Sequence, residues 1–369
     1  MRSTSPLPTV AESGAPVLEM QAARIVAALD DFRTAFPGVR PFYATKCNND
    51  PGVLRVLHDA GSNFEVASVA EIETLAEVGV PGREVLFSNP MRPRDQTRRA
   101  AQAGVHRFSV DSIGELHRVA QEAPGSSVYA RLASGGPASV VPSEGKFGVD
   151  TAGAVDLLLR ARDLGLNPYG ITFHIGSQSL DPNALDGPLS DVRLALEKLA
   201  GAGIRLQMVD IGGGFPAAYD EPVPALSAFG QAVAAGISQL PYEVEVYAEP
   251  GRCIVAEAGT FRCRVIGVAE RPSGWWVHTD LGVFNGLMEV LESGGDLRYP
   301  IHDGRGSHHQ RRYHLTGPTC DGQDTFAHNV PLSADLREGD EILIGSAGAY
   351  TSVYASRFNG FAVPRVVLR

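Results

Sequence analysis

The sequence predicts an α/β protein, a parallel (β/α)8 barrel followed by a mostly antiparallel β domain. Three observations carry this expectation. From about residue 38 to 250, short apolar strands alternate with amphipathic helical stretches at a period of roughly 20–30 residues. After Arg252 the helical periodicity fades into apolar runs separated by Gly, Pro, Ser and Asp clusters. The 369 residues, 44% hydrophobic and 20% charged, also hold enough apolar material for a barrel and a second domain. Eight strand–helix units favour a closed barrel over an open sheet.

In chain order, residues 1–16 are rich in Pro, Ser and Thr and are expected to form a mobile tail. The barrel is expected over 17–253 and the β domain over 254–369. Barrel strands are expected at 41–46, 63–67, 84–88, 106–110, 127–131, 170–174, 207–211 and 244–248, each a short apolar run. Helical periodicity falls between them at 69–78, 93–103, 113–121, 152–164, 189–200 and 225–240. In such a barrel chemistry gathers where strands end. The unusual polar and glycine residues sit at those ends: Lys46, Glu65, Asn89, Asp111, Arg131, His174 to Gln178, Asp210 to Gly214, and Glu249 to Arg252. In the β domain, apolar runs at 262–268, 275–280 and 341–344 read as strands. The stretch 301–312, with two adjacent histidines and Arg311-Arg312, reads as a solvated loop; adjacent histidines seldom share an ion, so no metal site is expected.

Composition narrows the function. A net charge of -10 argues against nucleic acid as partner and is compatible with a cationic small molecule. No window approaches the roughly 18 apolar residues of a membrane span, and the first residues lack the apolar core of a signal peptide, so no membrane partner is expected and cytoplasm is the default. Cys47, Cys253, Cys263 and Cys320 show neither CxxC spacing nor a small-scaffold pattern and are expected as free thiols.

Three segments carry chemistry. Lys46 closes an apolar run, where a desolvated amine can meet an aldehyde, the requirement of pyridoxal phosphate (PLP); a solvated strand-end lysine is the bland alternative. Gly212, Gly213 and Gly214 directly follow a strand and read either as a phosphate cradle or as a flexible turn. The preceding strand ends in His174 and Ser177, an imidazole and a hydroxyl, although a lone histidine is more often a satisfied interior residue. Glu249 and Arg252 end the last barrel strand, either as an ordinary ion pair or as partners for a pyridine nitrogen and a phosphate.

Taken in order, these pieces resemble the fold-type III, PLP-dependent amino acid decarboxylases, the family of ornithine, diaminopimelate and arginine decarboxylases with an alanine racemase-like barrel. The resemblance runs from about residue 40 to the carboxyl terminus. It rests on Tyr43-Ala-Thr-Lys-Cys-Asn48, Phe64-Glu-Val-Ala-Ser68, Phe108-Ser-Val-Asp-Ser112, Lys146-Phe-Gly148, the His174 turn, the triple glycine, Glu249-Pro-Gly-Arg252, Gly317-Pro-Thr-Cys-Asp-Gly-Gln-Asp324, Gly348-Ala-Tyr350 and Phe358-Asn-Gly-Phe361. It implies Lys46 as the Schiff-base lysine and His174 stacked on the cofactor ring. Ser177, Gly212, Gly213, Gly214, Arg252 and Tyr350 would hold the phosphate, and Glu249 the ring nitrogen. Glu65, where animal ornithine enzymes have aspartate, would form a supporting ion pair with Arg131. Cys320 would protonate the α-carbon, and with Asp321 would reach into the partner subunit's site, making a homodimer with shared sites the functional unit. Lys146 is expected to pair with Asp324 across that interface.

The resemblance also bears on substrate. Asp321, an anion beside Cys320, favours a distal ammonium or guanidinium, and Phe358 belongs to the same expected substrate region. The segment 279–292 reads locally like diaminopimelate enzymes but has Glu289 where an arginine is expected; an ungapped alignment to ornithine enzymes instead puts Glu292 at a distal-amine carboxylate. Both alignments remain open. The expectation is decarboxylation of a basic L-amino acid, ornithine to putrescine first and lysine to cadaverine next, then arginine. The alternatives are a specialised decarboxylase of siderophore or antibiotic synthesis, a diaminopimelate decarboxylase, a racemase or epimerase, and an inactive regulatory homologue.

Overall fold

A computed structural model describes residues 14–134, 139–141 and 145–369, so most of the expected 1–16 tail lies outside the described residues. The chain divides into two compact units: a barrel unit of Ala23–Ala217 with Val223–Ile254, and a β unit of Val255–Arg369 with Ala218–Pro222 and the segment ending at Ala22.

Each expected barrel strand is present. Val39–Ala44, Asn63–Val66, Val85–Phe87, Arg107–Val110, Ser127–Arg131, Asn167–Thr172, Met208–Asp210 and Glu245–Ala248 form a closed barrel, all neighbours parallel, with Val246 of the last strand registered on Val39 of the first. Closure leaves no edge strand, and burial of both faces, one in the barrel interior and one under the helices, is why the strands read as nearly continuous apolar runs and not as an alternation. Phe42, Leu86, Tyr129, Tyr169, Met208 and Tyr247, from six strands, form one buried cluster. Its tyrosines bury rings but keep their hydroxyls paired, as Tyr169 and Tyr247 do at 3.0 Å.

Side-chain caps fix the start of four of the barrel helices. Asp50 accepts from Gly52 N at the start of Pro51–Asp59, Ser68 from Glu71 N at Val69–Glu77, Ser112 from Glu115 N at Ile113–Glu122, and Asp150 from Gly153 N at Thr151–Asp163. The caps at Asp50, Ser68 and Ser112 satisfy orphan amides within a few residues of a strand end, so those three loops are short. Arg94–Gln102, Asp186–Gly201 and Leu226–Ile237 complete the other expected helices, and Ala22–Ala35 precedes the first strand.

The β unit is an eight-stranded sheet. Gly259–Arg271 is its spine: the first half pairs antiparallel with Val17–Met20 and Glu341–Ile344, the second half with Gly274–Thr279. Two pairings are parallel, Val17–Met20 with Arg365–Leu368 and Gly274–Thr279 with Gln310–Thr316. Three expectations need correction. Residues 17–22 and 218–222, placed by the sequence reading in the barrel, belong to the β unit, because Val17–Met20 satisfies its backbone on two strands of that sheet and Asp220 N bonds Arg298 O. The stretch 301–312 is a solvated loop only in its middle: Ile301–Asp303 and the start of Gln310–Thr316 are strands. Finally, Asp324 is fully buried, its carboxylate accepting Val283 N at 2.8 Å and Thr319 N at 2.9 Å, so it braces its own subunit and is not presented to Lys146 of a second copy.

Candidate active site

At the carboxyl ends of the barrel strands the expected residues converge. Lys46 sits in a one-turn 3-10 helix, Thr45–Cys47, directly after the first strand, and its Nζ lies 3.0 Å from Oε2 of Glu65 at the end of the second. Glu65 is fully buried, and loss of water pushes its carboxyl up to about 7 against the pull of Lys46. Arg131, at the end of the fifth strand, acts on Glu65 at longer range and stacks over the Phe147 ring at 5.2 Å.

The sixth strand is followed by His174, Gly176 and Ser177. Ser134 clamps the His174 backbone, accepting from its N–H at 3.0 Å and donating to its carbonyl at 2.9 Å. Gly213 N–H donates to His174 Nδ1 at 3.3 Å, which leaves the ring proton on Nε2. Burial, with Arg131 and Lys46 nearby, holds the imidazole down at about 3, so it is a neutral flat ring at working pH.

The glycine run has no room for side chains. A Cβ at Gly212 would collide with the Phe173 carbonyl, at Gly213 with the Glu249 carbonyl, and at Gly214 with the Gly176 carbonyl; Gly212 and Gly214 also have positive φ, 65° and 110°. The glycines are locked in close backbone contact, which argues against a flexible turn. Arg252, nearly buried, donates through its guanidinium to Ser177 Oγ at 3.0 Å, placing a cation and a hydroxyl in the same region.

Glu249 completes the group. Desolvation, with Asp210 adjacent, raises its carboxyl to about 8; Asp210 shares a side-chain hydrogen bond with it and is also raised by burial. Asp210 accepts from Thr172 Oγ1 and from Gly212 N, both at 2.9 Å. Ser88 Oγ donates to Glu249 Oε1 and lies 2.9 Å from the Tyr129 hydroxyl. Sequence reading missed Ser88, Tyr129 and the pairing role of Asp210. It also missed Glu71, which accepts Ala67 N at 2.6 Å and is raised to about 7 by burial and the nearby Glu65; the Ser68-x-x-Glu71 spacing of a capping box was its available signal. Arg92 was missed as well: it is buried, lies over the Phe87 and Phe108 rings, pairs with Glu115 at 2.6 Å and donates to the Asn89 carbonyl, bracing the loop after the third strand.

The remaining candidates lie in the β unit. Cys320 is exposed, its Sγ 3.9 Å from Asn359 Oδ1, and Asp321 beside it is exposed and accepts Gln323 N at 2.8 Å. Phe358 is exposed and stacks on Phe284 with ring centroids 4.8 Å apart. Glu289 is buried at the start of the short helix Glu289–Glu292, whereas Glu292 is exposed. Tyr350 has a positive φ of 52° and packs near Tyr354.

A phosphorylated pyridine aldehyde fits the residues of the barrel unit. There is an amine at Lys46, a carboxyl at Glu249 that takes or gives a proton near neutrality, a neutral imidazole face, and a glycine run pressed so closely on neighbouring backbone that no Cβ fits, with Ser177 and Arg252 close by. Among the described residues no helix is long and apolar enough to cross a membrane.

Comparison with known proteins agrees with this fit. Residues 22–256 match the pyridoxal-dependent decarboxylase pyridoxal-binding domain. The chain is 34% identical over 338 residues to a lysine/ornithine decarboxylase of Selenomonas ruminantium, covering 91% of this chain and 85% of that protein. Its fold superimposes on lysine/ornithine decarboxylase from Vibrio vulnificus in complex with cadaverine, with TM-score 0.90, 31% identity and coverage of 98% and 96%. It also superimposes on the Paramecium bursaria Chlorella virus arginine decarboxylase bound to agmatine, with TM-score 0.90, 28% identity and 96% coverage of each chain. With a match across the whole barrel and relatives above 30% identity over nearly the full chain, this protein belongs to the PLP-dependent amino acid decarboxylases.

Proposed function

We propose that this enzyme decarboxylates a basic L-amino acid, with L-ornithine the first choice of substrate, L-lysine the second and L-arginine the third. The observation that carries the choice of class is the solvent-exposed pair Cys320 and Asp321, an acid placed next to a thiol at the surface of the β unit. The cadaverine and agmatine bound by the similar structures support the same substrate class.

When bound, PLP supplies an aldehyde for the substrate amine and a conjugated ring that takes up the electron pair left by carbon dioxide. Lys46 is the attachment amine, and Glu65, 3.0 Å from its Nζ, holds and exchanges the proton that attachment and release require. His174, a neutral buried imidazole, would stack on the ring and keep water from that face. The amides of Gly212, Gly213 and Gly214, with Ser177 and Arg252, would hold the phosphate. Glu249 would hold a proton at the ring nitrogen. Cys320 of the partner subunit delivers a proton to the α-carbon, and Asp321 of the partner subunit pairs with the distal cation, so the working unit is a homodimer. Of the two glutamates weighed for the distal amine, Glu292 is supported by its exposure, whereas Glu289 is buried.

Carbon dioxide release from PLP-loaded enzyme, with the amine product identified by mass spectrometry, tests the assignment on ornithine, lysine, arginine and meso-diaminopimelate. Putrescine as the preferred product is the expected result. Preference for meso-diaminopimelate would overturn the role of Asp321, and silence on all four would remove the substrate class.

A further inference from the structure

Three barrel strands that are not neighbours send hydroxyls and a carboxylate to one point. Ser88 follows the third strand, Tyr129 lies on the fifth and Glu249 follows the eighth, so the hydrogen-bonded chain Tyr129–Ser88–Glu249 spans the barrel interior. Proton inventory fixes its direction. A serine hydroxyl has one hydrogen, and Ser88 gives it to Glu249 Oε1, so the 2.9 Å contact to Tyr129 is filled by the tyrosine hydrogen donated to Ser88 Oγ. On the other side, Thr172 Oγ1 and Gly212 N both donate to Asp210, which shares a hydrogen bond with Glu249. Every hydroxyl and amide in this chain therefore points a hydrogen at the carboxyl pair, whose two members share one further proton in the cofactor-free protein. Ser88 is 7% exposed and Tyr129 is fully buried, so water does not substitute cheaply for either donor.

We propose that Ser88, backed by Tyr129, is a positioning residue for Glu249: its hydroxyl fixes the carboxylate in one rotamer and favours its charged form, so that Glu249 meets the cofactor's ring nitrogen as an anion. The proposal rests on the reading that Glu249 faces that nitrogen. A hydrogen bond to a charged group is strong enough that its loss changes an equilibrium by about tenfold or more. Tyr129 acts only through Ser88, so its effect disappears when the Ser88 hydroxyl is absent. Ser88→Thr retains a hydroxyl on the same atom framework and restores the bond.

The test uses the full chain, stripped of cofactor and retitrated with PLP, reading affinity by quenching of protein fluorescence alongside kcat and KM of the reloaded enzyme. Ser88→Ala is expected to weaken PLP binding about tenfold and to lower kcat with little change in KM. Tyr129→Phe should have a smaller effect, and Ser88→Thr should recover most of the loss. In the Ser88→Ala/Tyr129→Phe double variant the two losses should not add. Glu249→Gln separates the layers of the argument. If Glu249→Gln leaves PLP affinity and kcat unchanged, the reading of Glu249 itself fails. If it weakens both while Ser88→Ala does not, the positioning role of Ser88 fails alone. Additive losses in the double variant, or a Ser88→Ala loss that persists unchanged in the Glu249→Gln background, would assign both hydroxyls to general packing and overturn the proposal.

Discussion

At the scale of single residues, the site is defined by ionisable groups whose charge burial has made expensive. Loss of water raises Glu249 to about 8 and Glu65 and Glu71 to about 7, while it lowers His174 to about 3. These shifts make stability depend on pH with a definite sign. A folded chain that holds carboxyl protons more tightly than the unfolded chain loses stability as pH rises from about 4.3, the ordinary glutamate value, to the folded values. His174 acts oppositely: the unfolded chain gains a proton that the folded chain refuses, so stability rises with pH from about 3 to about 6.5. The two effects oppose one another below pH ~6.5, and above it only the carboxyls titrate. Thermal unfolding of the cofactor-free protein should therefore shift to lower temperature between pH ~6.5 and ~8, with a shallower slope in Glu249→Gln. A melting temperature that rises over that interval, or an unchanged slope in the variant, would contradict the assignment. Lys46 gives a more direct check. Replacing it with Ala should abolish covalent attachment of PLP, seen as loss of the visible-edge absorbance and of the mass added after borohydride reduction, without changing the far-ultraviolet circular dichroism. An unchanged spectrum would move the attachment point elsewhere.

At the scale of elements, the βα loops hold the site because caps and close backbone contacts leave them few conformations. The triple glycine shows this best. Gly213 is pressed against the Glu249 carbonyl and donates its N–H to His174 Nδ1, so one residue couples the loops after the sixth, seventh and eighth strands. Gly213→Ala must displace backbone and not a flexible side-chain tip. It should weaken PLP binding by at least tenfold and destabilise the apoprotein by about 1–3 kcal/mol, measured by retitration and by denaturant unfolding. Near-normal affinity would mean that the loop yields and is not a fixed cradle. The strands, the glycine run and the residues from Lys46 to Arg252 were legible because each signal is local: an apolar run, a glycine cluster or a polar residue at a strand end. Ser88 and Tyr129 were not, because one hydroxyl within an apolar run carries no periodic signal and acquires its partner only when the barrel closes. Val17–Met20 was assigned to the wrong domain for the same reason. Its four residues match any apolar strand, and its partners lie more than 200 residues away in sequence.

At the scale of the whole molecule, the division of the chemistry between two units predicts how activity depends on assembly. The barrel unit carries Lys46, Glu65, His174, the glycines and Glu249, while the β unit carries Cys320 and Asp321, both exposed. An exposed thiol with an acid beside it does little for stability, so its value lies in what it meets. If the proposed homodimer shares its sites, a Lys46→Ala subunit still offers an intact Cys320 to a partner, and a Cys320→Ala subunit still offers an intact barrel. Each variant alone should be nearly inactive in forming the amine, yet Cys320→Ala should bind PLP normally. Mixing the two under conditions that exchange subunits creates heterodimers in which one of the two sites has every group. With equal amounts and random pairing, half of the dimers are heterodimers, so about one quarter of wild-type activity should return. Mass spectrometry of the intact dimers measures the exchange independently. Recovery in proportion to the heterodimer fraction would establish sites built from two subunits, whereas proven exchange with no recovery would place Cys320 in its own chain's site or outside the reaction.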